Sequence, residues 1–174
     1  VLLVLNRLWH CGLSRDHLAL LGRRLGADVP VFVIGRTALA TGVGDRLDPF
    51  PLGRRHYVLV FPGIPVSTAG VFNDPALVRN SRAIGTDEIL AGGGWNDCEA
   101  VVRKRYPAID RAMHALAKWG RVRMTGTGST LFIEMNDEKQ SNSAAREIKS
   151  LYNTRAVTGL DCSTVHRRLY PDGD

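Results

Sequence analysis

Two prolines and a glycine within six residues, Asp48-Pro49-Phe50-Pro51-Leu52-Gly53, constrain this chain more than any other stretch, because neither a helix interior nor a central strand accommodates them. A domain boundary is expected there, dividing the 174 residues into 1–52 and 53–174. With 44% hydrophobic residues the chain has enough apolar material for a sizeable core. The periodicity predicts an amphipathic helix already under way at Val1, with Leu2, Leu5, Leu8 and Trp9 at helical spacing, so an upstream segment is expected to be absent. A second helix is expected from Ser14 as N-cap, with Leu18, Leu21 and Leu25 as its apolar stripe and Gly26 ending it in a left-handed turn. Val31–Ile34 and Thr37–Thr41 read as short strands joined at Gly35.

Beyond the linker, His56–Phe61 alternates as a strand, and helix starts fall at Ser67 or Thr68, at Thr86, at Asn96 and at Pro107. Val122–Thr125 and Thr130–Met135 read as strands flanking Gly126-Thr127-Gly128. A helix from about Asp137 to Leu151, a strand near Arg155–Thr158 and a basic tail follow. Strands interleaved with helices in this order predict an α+β fold.

Three cysteines, widely spaced and without a Cys-x-x-Cys pair, indicate neither a disulfide framework nor a zinc site, and a reducing cytoplasm is the expected home. No apolar run reaches membrane-spanning length. The formal charge of +6 comes from scattered Lys and Arg and suits an anionic partner such as a nucleotide, a phosphorylated metabolite or nucleic acid. No G-x-x-x-x-G-K-[ST] and no G-x-G-x-x-G opening a helix is present, which excludes an ordinary P-loop or dinucleotide fold.

Two elements carry candidate chemistry. Gly126-Thr127-Gly128 reads either as a hairpin turn or as a loop whose backbone N–H groups approach an anion, with Thr125, Thr127 and Ser129 adding hydroxyls. Asp28, two residues before Pro30, serves either turn geometry or the chemistry of a kinase, in which a carboxylate orients an alcohol and accepts its proton. Gly92-Gly93-Gly94 reads as a helix stop, and Asn96 and Asp97 as residues capping a helix N-terminus.

Leu25-Gly26-Ala27-Asp28-Val29-Pro30-Val31-Phe32, Thr41-Gly42-Val43-Gly44, Phe61-Pro62-Gly63, Val71-Phe72-Asn73-Asp74-Pro75, Asn96-Asp97-Cys98-Glu99 and Met124-Thr125-Gly126-Thr127-Gly128-Ser129 occur in one order. That order resembles the GHMP kinase superfamily, in its branch acting on 4-diphosphocytidyl-2-C-methyl-D-erythritol. The resemblance implies a GHMP kinase fold, with residues 1–52 as the remnant of a ribosomal-protein-S5-like nucleotide-binding domain and 53–174 as a ferredoxin-like C-terminal domain. It implies ATP-dependent phosphorylation of the substrate's 2-hydroxyl in the non-mevalonate route to isoprenoid precursors. Asp28 then matches the catalytic base; Val43, Thr68 and Phe72 match the substrate pocket; and Thr125, Gly126, Thr127, Gly128 and Ser129 match a loop supporting the phosphates. Phe72 is equally readable as a core aromatic.

The same resemblance implies ATP with Mg2+, the ion's ligands lying mainly in a glycine- and serine-rich segment that this sequence does not contain, so the chain as given is expected to be inactive. The partners implied are the small-molecule substrate and ATP, with no nucleic acid and no membrane, in the bacterial cytoplasm or plastid stroma. The rival is a noncatalytic nucleotide- or RNA-binding module, which predicts a continuous basic stripe with interleaved aromatics. Arg103-Lys104-Arg105 instead spread around a helix, and Trp9, Trp95 and Trp119 fall in different elements.

Overall fold

The computed structural model describes residues 1–44 and 46–170. In chain order the elements are α1 (Leu2–Leu8), α2 (Arg15–Leu25), α3 (Val29–Ile34), β1 (Ala38–Thr41), β2 (Arg46–Pro49), β3 (Arg55–Phe61), α4 (Thr68–Phe72) and α5 (Thr86–Leu90). They continue with α6 (Asp97–Arg105), α7 (Pro107–Leu116), β4 (Val122–Met124), β5 (Leu131–Met135), α8 (Glu138–Ile148), β6 (Asn153–Gly159) and α9 (Thr164–Leu169). Two compact units result: Val1–Arg54 together with the segment from Leu160 onward, and Arg55–Gly159.

In the first unit, Ser14 caps α2 by accepting the His17 amide, as its hydroxyl predicts. The buried face of α2 is Leu18 and Gly22, four residues apart, whereas Leu21 and Leu25 of the expected stripe are exposed. Gly26 is extended, at φ 171, rather than left-handed. Residues 31–34 form helix rather than the expected strand. Pro30 sits in the first turn of α3, where its missing N–H costs nothing and its fixed φ favours the helix over the β tendency of Val31, Phe32 and Val33. The left-handed residue is Gly35, at φ 64, whose N–H donates to Val31 O at 2.8 Å. β1 and β2 pair antiparallel, so Asp48 and Pro49 of the expected linker belong to a strand end, and the irregular stretch begins at Phe50. The expected basic tail contains a helix, α9, which Ser163 caps by accepting the Val165 amide.

α9 buries His166 to 4% exposure. Burial pushes this imidazole below its ordinary value of 6.5, and the nearby charge of Arg15 acts in the same direction. The folded unit therefore holds fewer protons on His166 than the unfolded chain does. His166 contributes stability that is complete above the unfolded value and is lost as pH falls from about 6.5 toward the folded value. An NMR titration of the His166 ring is expected to give a midpoint below 6.5, and a midpoint above it contradicts this account.

The second unit is a four-stranded antiparallel sheet in the order β4-β5-β3-β6. Numbered within the unit the strands run 2-3-1-4, with α6 and α7 between the first and second and α8 between the third and fourth, which is the ferredoxin-like β-α-β-β-α-β arrangement. Alternation fixes which face is inside. Val58 and Val60 on β3 lie opposite Ile133 and Leu131 on β5, and all four are fully buried. Val102 from α6, Ile109 and Leu116 from α7 and Ile148 from α8 complete that core. Pro107 opens α7 at its first turn, and Asp137 caps α8 by accepting the Gln140 amide. Two connections of this scaffold hold the candidate residues: α4 follows β3, and the Gly126–Gly128 turn joins β4 to β5.

Candidate active site

In the first unit, Asp28 occupies the N-cap position of α3 but its side chain makes no capping hydrogen bond. The side chain is exposed and holds no hydrogen bond or ion pair among the described residues. An aspartate at a helix start normally spends an oxygen on the first-turn amides; here both oxygens remain available as proton acceptors. The turn carrying Val43 lies against the same backbone, since a Cβ built on Gly44 would come 3.4 Å from Ala27 O. Val43 itself is 67% exposed.

In the second unit, the β4–β5 turn is stitched across its base. Thr125 N–H donates to Thr130 O at 3.0 Å, and Gly128 N–H donates to Thr125 O at 2.8 Å. The amides of Gly126, Thr127 and Ser129 donate to no backbone carbonyl among the described residues. Three N–H donors with hydroxyls beside them thus remain unspent in a half-exposed turn, and backbone amides in such turns are donors for anions. Gly128 is needed where it stands: its φ is 88, and a Cβ would lie 2.8 Å from Met124 Sδ.

Helix α4 meets this turn through a hydrogen bond of 3.1 Å between the hydroxyls of Thr68 and Thr127. Ser67 caps α4 by accepting the Gly70 amide, which resolves the choice between Ser67 and Thr68 and releases the Thr68 hydroxyl for the turn. Phe72, at the last position of α4, is 55% exposed, so it is not a core aromatic. It lines an open cavity of 720 Å³ together with Trp95, Asn96, Arg123, Thr125 and Gly126. Two guanidinium groups hold the backbone around Phe72: Arg79 donates to Phe72 O at 2.7 Å and Asp74 O at 3.1 Å, and Arg105 donates to Gly70 O at 2.7 Å and Asp74 Oδ2 at 3.1 Å.

Thr68, Phe72 and the turn from Thr125 to Ser129 thus come together within the second unit, while Asp28 and Val43 belong to the first. Sequence reasoning missed Arg79 and Arg105, because an arginine that binds carbonyls of an irregular loop leaves no periodic signature. It also saw only half of Asn96. Asn96 does cap α6, accepting the Cys98 amide at 3.0 Å, but its amide nitrogen also donates to Met124 O at 3.1 Å and Gly126 O at 2.7 Å. Asp97 accepts from Ser81 at 2.6 Å and Trp95 Nε1 at 2.9 Å. Two of the three basic residues ending α6 are committed locally: Arg103 pairs with Asp110 at 2.5 Å and Glu99 at 3.5 Å, and Arg105 holds Gly70 and Asp74 as above. These guanidiniums do not line up as a stripe for a phosphate backbone.

Comparison with known proteins bears on what such a site does. Residues 76–154 match the family described as "GHMP kinases C terminal". Over those residues the chain is similar to the C-terminal part of the GHMP kinases. It is 43% identical over 168 residues to a protein of Ectopseudomonas mendocina named "4-diphosphocytidyl-2-C-methyl-D-erythritol kinase", covering 97% of this chain and 58% of that protein. Proteins of the same name in Halorhodospira halophila and Pseudomonas paraeruginosa are 41% and 40% identical, each matched over 97% of this chain and 60% of its own length. The crystal structure of a 4-(cytidine 5'-diphospho)-2C-methyl-D-erythritol kinase superposes with a TM-score of 0.76 at 29% identity, over 90% of this chain and 60% of that one. The chain thus spans about three fifths of the length of the relatives it matches.

Proposed function

We propose that this chain is part of a kinase that transfers the γ-phosphoryl group of ATP to the 2-hydroxyl of 4-diphosphocytidyl-2-C-methyl-D-erythritol. In this reading Val1–Arg54 with the segment from Leu160 onward belong to the nucleotide-binding domain, Arg55–Gly159 form the C-terminal domain, and the enzyme works in the bacterial cytoplasm or plastid stroma on a small-molecule acceptor. The observation that carries the reading is the tie between α4 and the glycine turn, with the exposed ring of Phe72 and Gly126, whose amide donates to no backbone carbonyl among the described residues, lining one cavity.

Phosphoryl transfer asks little covalent chemistry of a protein; it asks for position and for charge complementary to the transition state. Asp28 accepts a hydrogen bond from the 2-hydroxyl and takes its proton as the oxygen attacks phosphorus. The amides of Gly126, Thr127 and Ser129, with the hydroxyls of Thr127 and Ser129, hold phosphate oxygens. Phe72 offers its face to the cytosine and Thr68 a hydroxyl to the polar substrate, while Val43 is the first unit's candidate for a substrate contact. Mg2+ neutralises phosphate charge in such reactions. Among the described residues no group of three or more His, Cys, Asp or Glu is placed to hold it, so in this reading its ligands are the nucleotide and residues beyond this chain. The 174 residues alone are accordingly expected not to turn over.

Phe72 supplies the test of substrate class. Stacking on an aromatic ring is worth about 1–3 kcal/mol per base, so Phe72→Ala in the full-length protein is expected to raise KM for the acceptor about tenfold or more. KM for ATP and thermal stability should stay near the parent values, because the ring is exposed in the free chain. An unchanged acceptor KM removes the nucleobase from this wall.

A further inference from the structure

We infer that Asn96 is a positioning residue of the phosphate-binding turn, aiming the Thr127 amide at the transferred group; the inference rests on the functional reading above. One side-chain amide makes three hydrogen bonds here, and its orientation is fixed by their chemistry. The Cys98 N–H at 3.0 Å needs the oxygen end, while Met124 O and Gly126 O, at 3.1 and 2.7 Å, need the nitrogen end. Asn96 therefore joins the N-terminus of α6, a helix anchored in the core through Val101 and Val102, to two carbonyls that bracket Thr125.

Peptide planarity turns that tie into a direction. In a trans peptide the N–H points opposite to the C=O. Holding Met124 O toward Asn96 aims the Thr125 N–H away from it, where Thr130 O accepts it at 3.0 Å. Holding Gly126 O toward Asn96 aims the Thr127 N–H away from it in the same manner, and that N–H donates to no backbone carbonyl among the described residues. The Thr127 hydroxyl is fixed separately, at 3.1 Å from Thr68. Asn96 and Thr68 thus set the amide and the side chain of one residue from two different elements.

Two substitutions separate this role from helix capping. Asn96→Asp and Asn96→Ser each keep an oxygen able to cap α6. Neither donates to both Met124 O and Gly126 O. In the full-length enzyme both are expected to lower kcat/KM for ATP about tenfold to a hundredfold, the scale set by a misaimed transition-state donor. KM for the acceptor should change less than about twofold, and Tm should stay within a few degrees of the parent. Amide exchange at Thr125–Thr130 should be faster in both variants, a readout independent of turnover. A folded variant that keeps the parent value of kcat/KM for ATP overturns the assignment. So does a loss that falls equally on both substrates and follows Tm, or failure of both variants to fold, since Asn96 would then serve the fold alone. If the parent enzyme itself lacks kinase activity, the functional reading fails, while the exchange data still report whether Asn96 orders the turn.

Discussion

The full-length protein carrying Asp28→Asn is expected to lose about 10²–10⁴-fold in kcat, the range typical for removal of a positioned general base. Asparagine has nearly the shape of aspartate and keeps a carbonyl oxygen, but it cannot take up the hydroxyl proton. Substrate binding is expected to survive, so the loss should appear in kcat with KM for both substrates little changed. Stability should be indifferent to the change. Asp28 is exposed, caps nothing and pairs with no described residue, so removing its charge breaks no folded-state contact. Steady-state kinetics beside a thermal melt check both halves. A variant that keeps its activity shows that phosphoryl transfer proceeds without a proton acceptor at position 28.

Gly35→Ala is expected to be the most damaging single-methyl change in the first unit, at about 2–5 kcal/mol, from left-handed backbone strain and overpacking together. Gly35 sits at φ 64, where a side chain is strained whatever the space. The space is also filled: a Cβ there would lie 1.9 Å from His166 Cδ2, 2.3 Å from Nε2 and 2.5 Å from Cγ. His166 cannot swing out cheaply, because its ring is buried and packs, tilted by 38°, with its centroid 5.8 Å from that of Tyr170. The backbone is pinned as well, since Gly35 O accepts the Ser163 amide at 2.8 Å. Urea unfolding measures the loss. Combining Gly35→Ala with His166→Ala should recover the part due to overlap and leave the backbone part, giving a favourable coupling between the two sites. Purely additive losses contradict the packing argument.

The features read correctly from sequence were those with a local cause. Ser14, Asn96 and Pro107 mark helix starts through interactions completed within one turn, and the alternation of β3 and β5 fixes which residues face the core. The misreadings had non-local or competing causes. Val31–Ile34 has the composition of a strand, but Pro30 at the first turn and Gly35 at the end frame it as a helix. Leu21 and Leu25 have the spacing of a buried stripe, yet the side of α2 that packs is defined by Leu18 and Gly22. At the site, the glycine turn and Asp28 were visible as residue types in a recognisable order. The second hydrogen-bonding role of Asn96 was not, because its acceptors lie 28 and 30 residues away on a hairpin whose return path the local sequence does not specify. The clamps on α4 from Arg79 and Arg105 escaped for the same reason.

Position-resolved product analysis tests the central claim most directly. The full-length protein is incubated with ATP, Mg2+ and 4-diphosphocytidyl-2-C-methyl-D-erythritol, and ³¹P NMR, with coupling to carbon, identifies which hydroxyl oxygen the phosphorus becomes bonded to. The account predicts one new phosphomonoester on the 2-hydroxyl and one ADP per product formed, with neither appearing when the acceptor is omitted. ATP consumed without phosphorylated acceptor, phosphate on another oxygen, or no reaction from the folded full-length protein contradicts it.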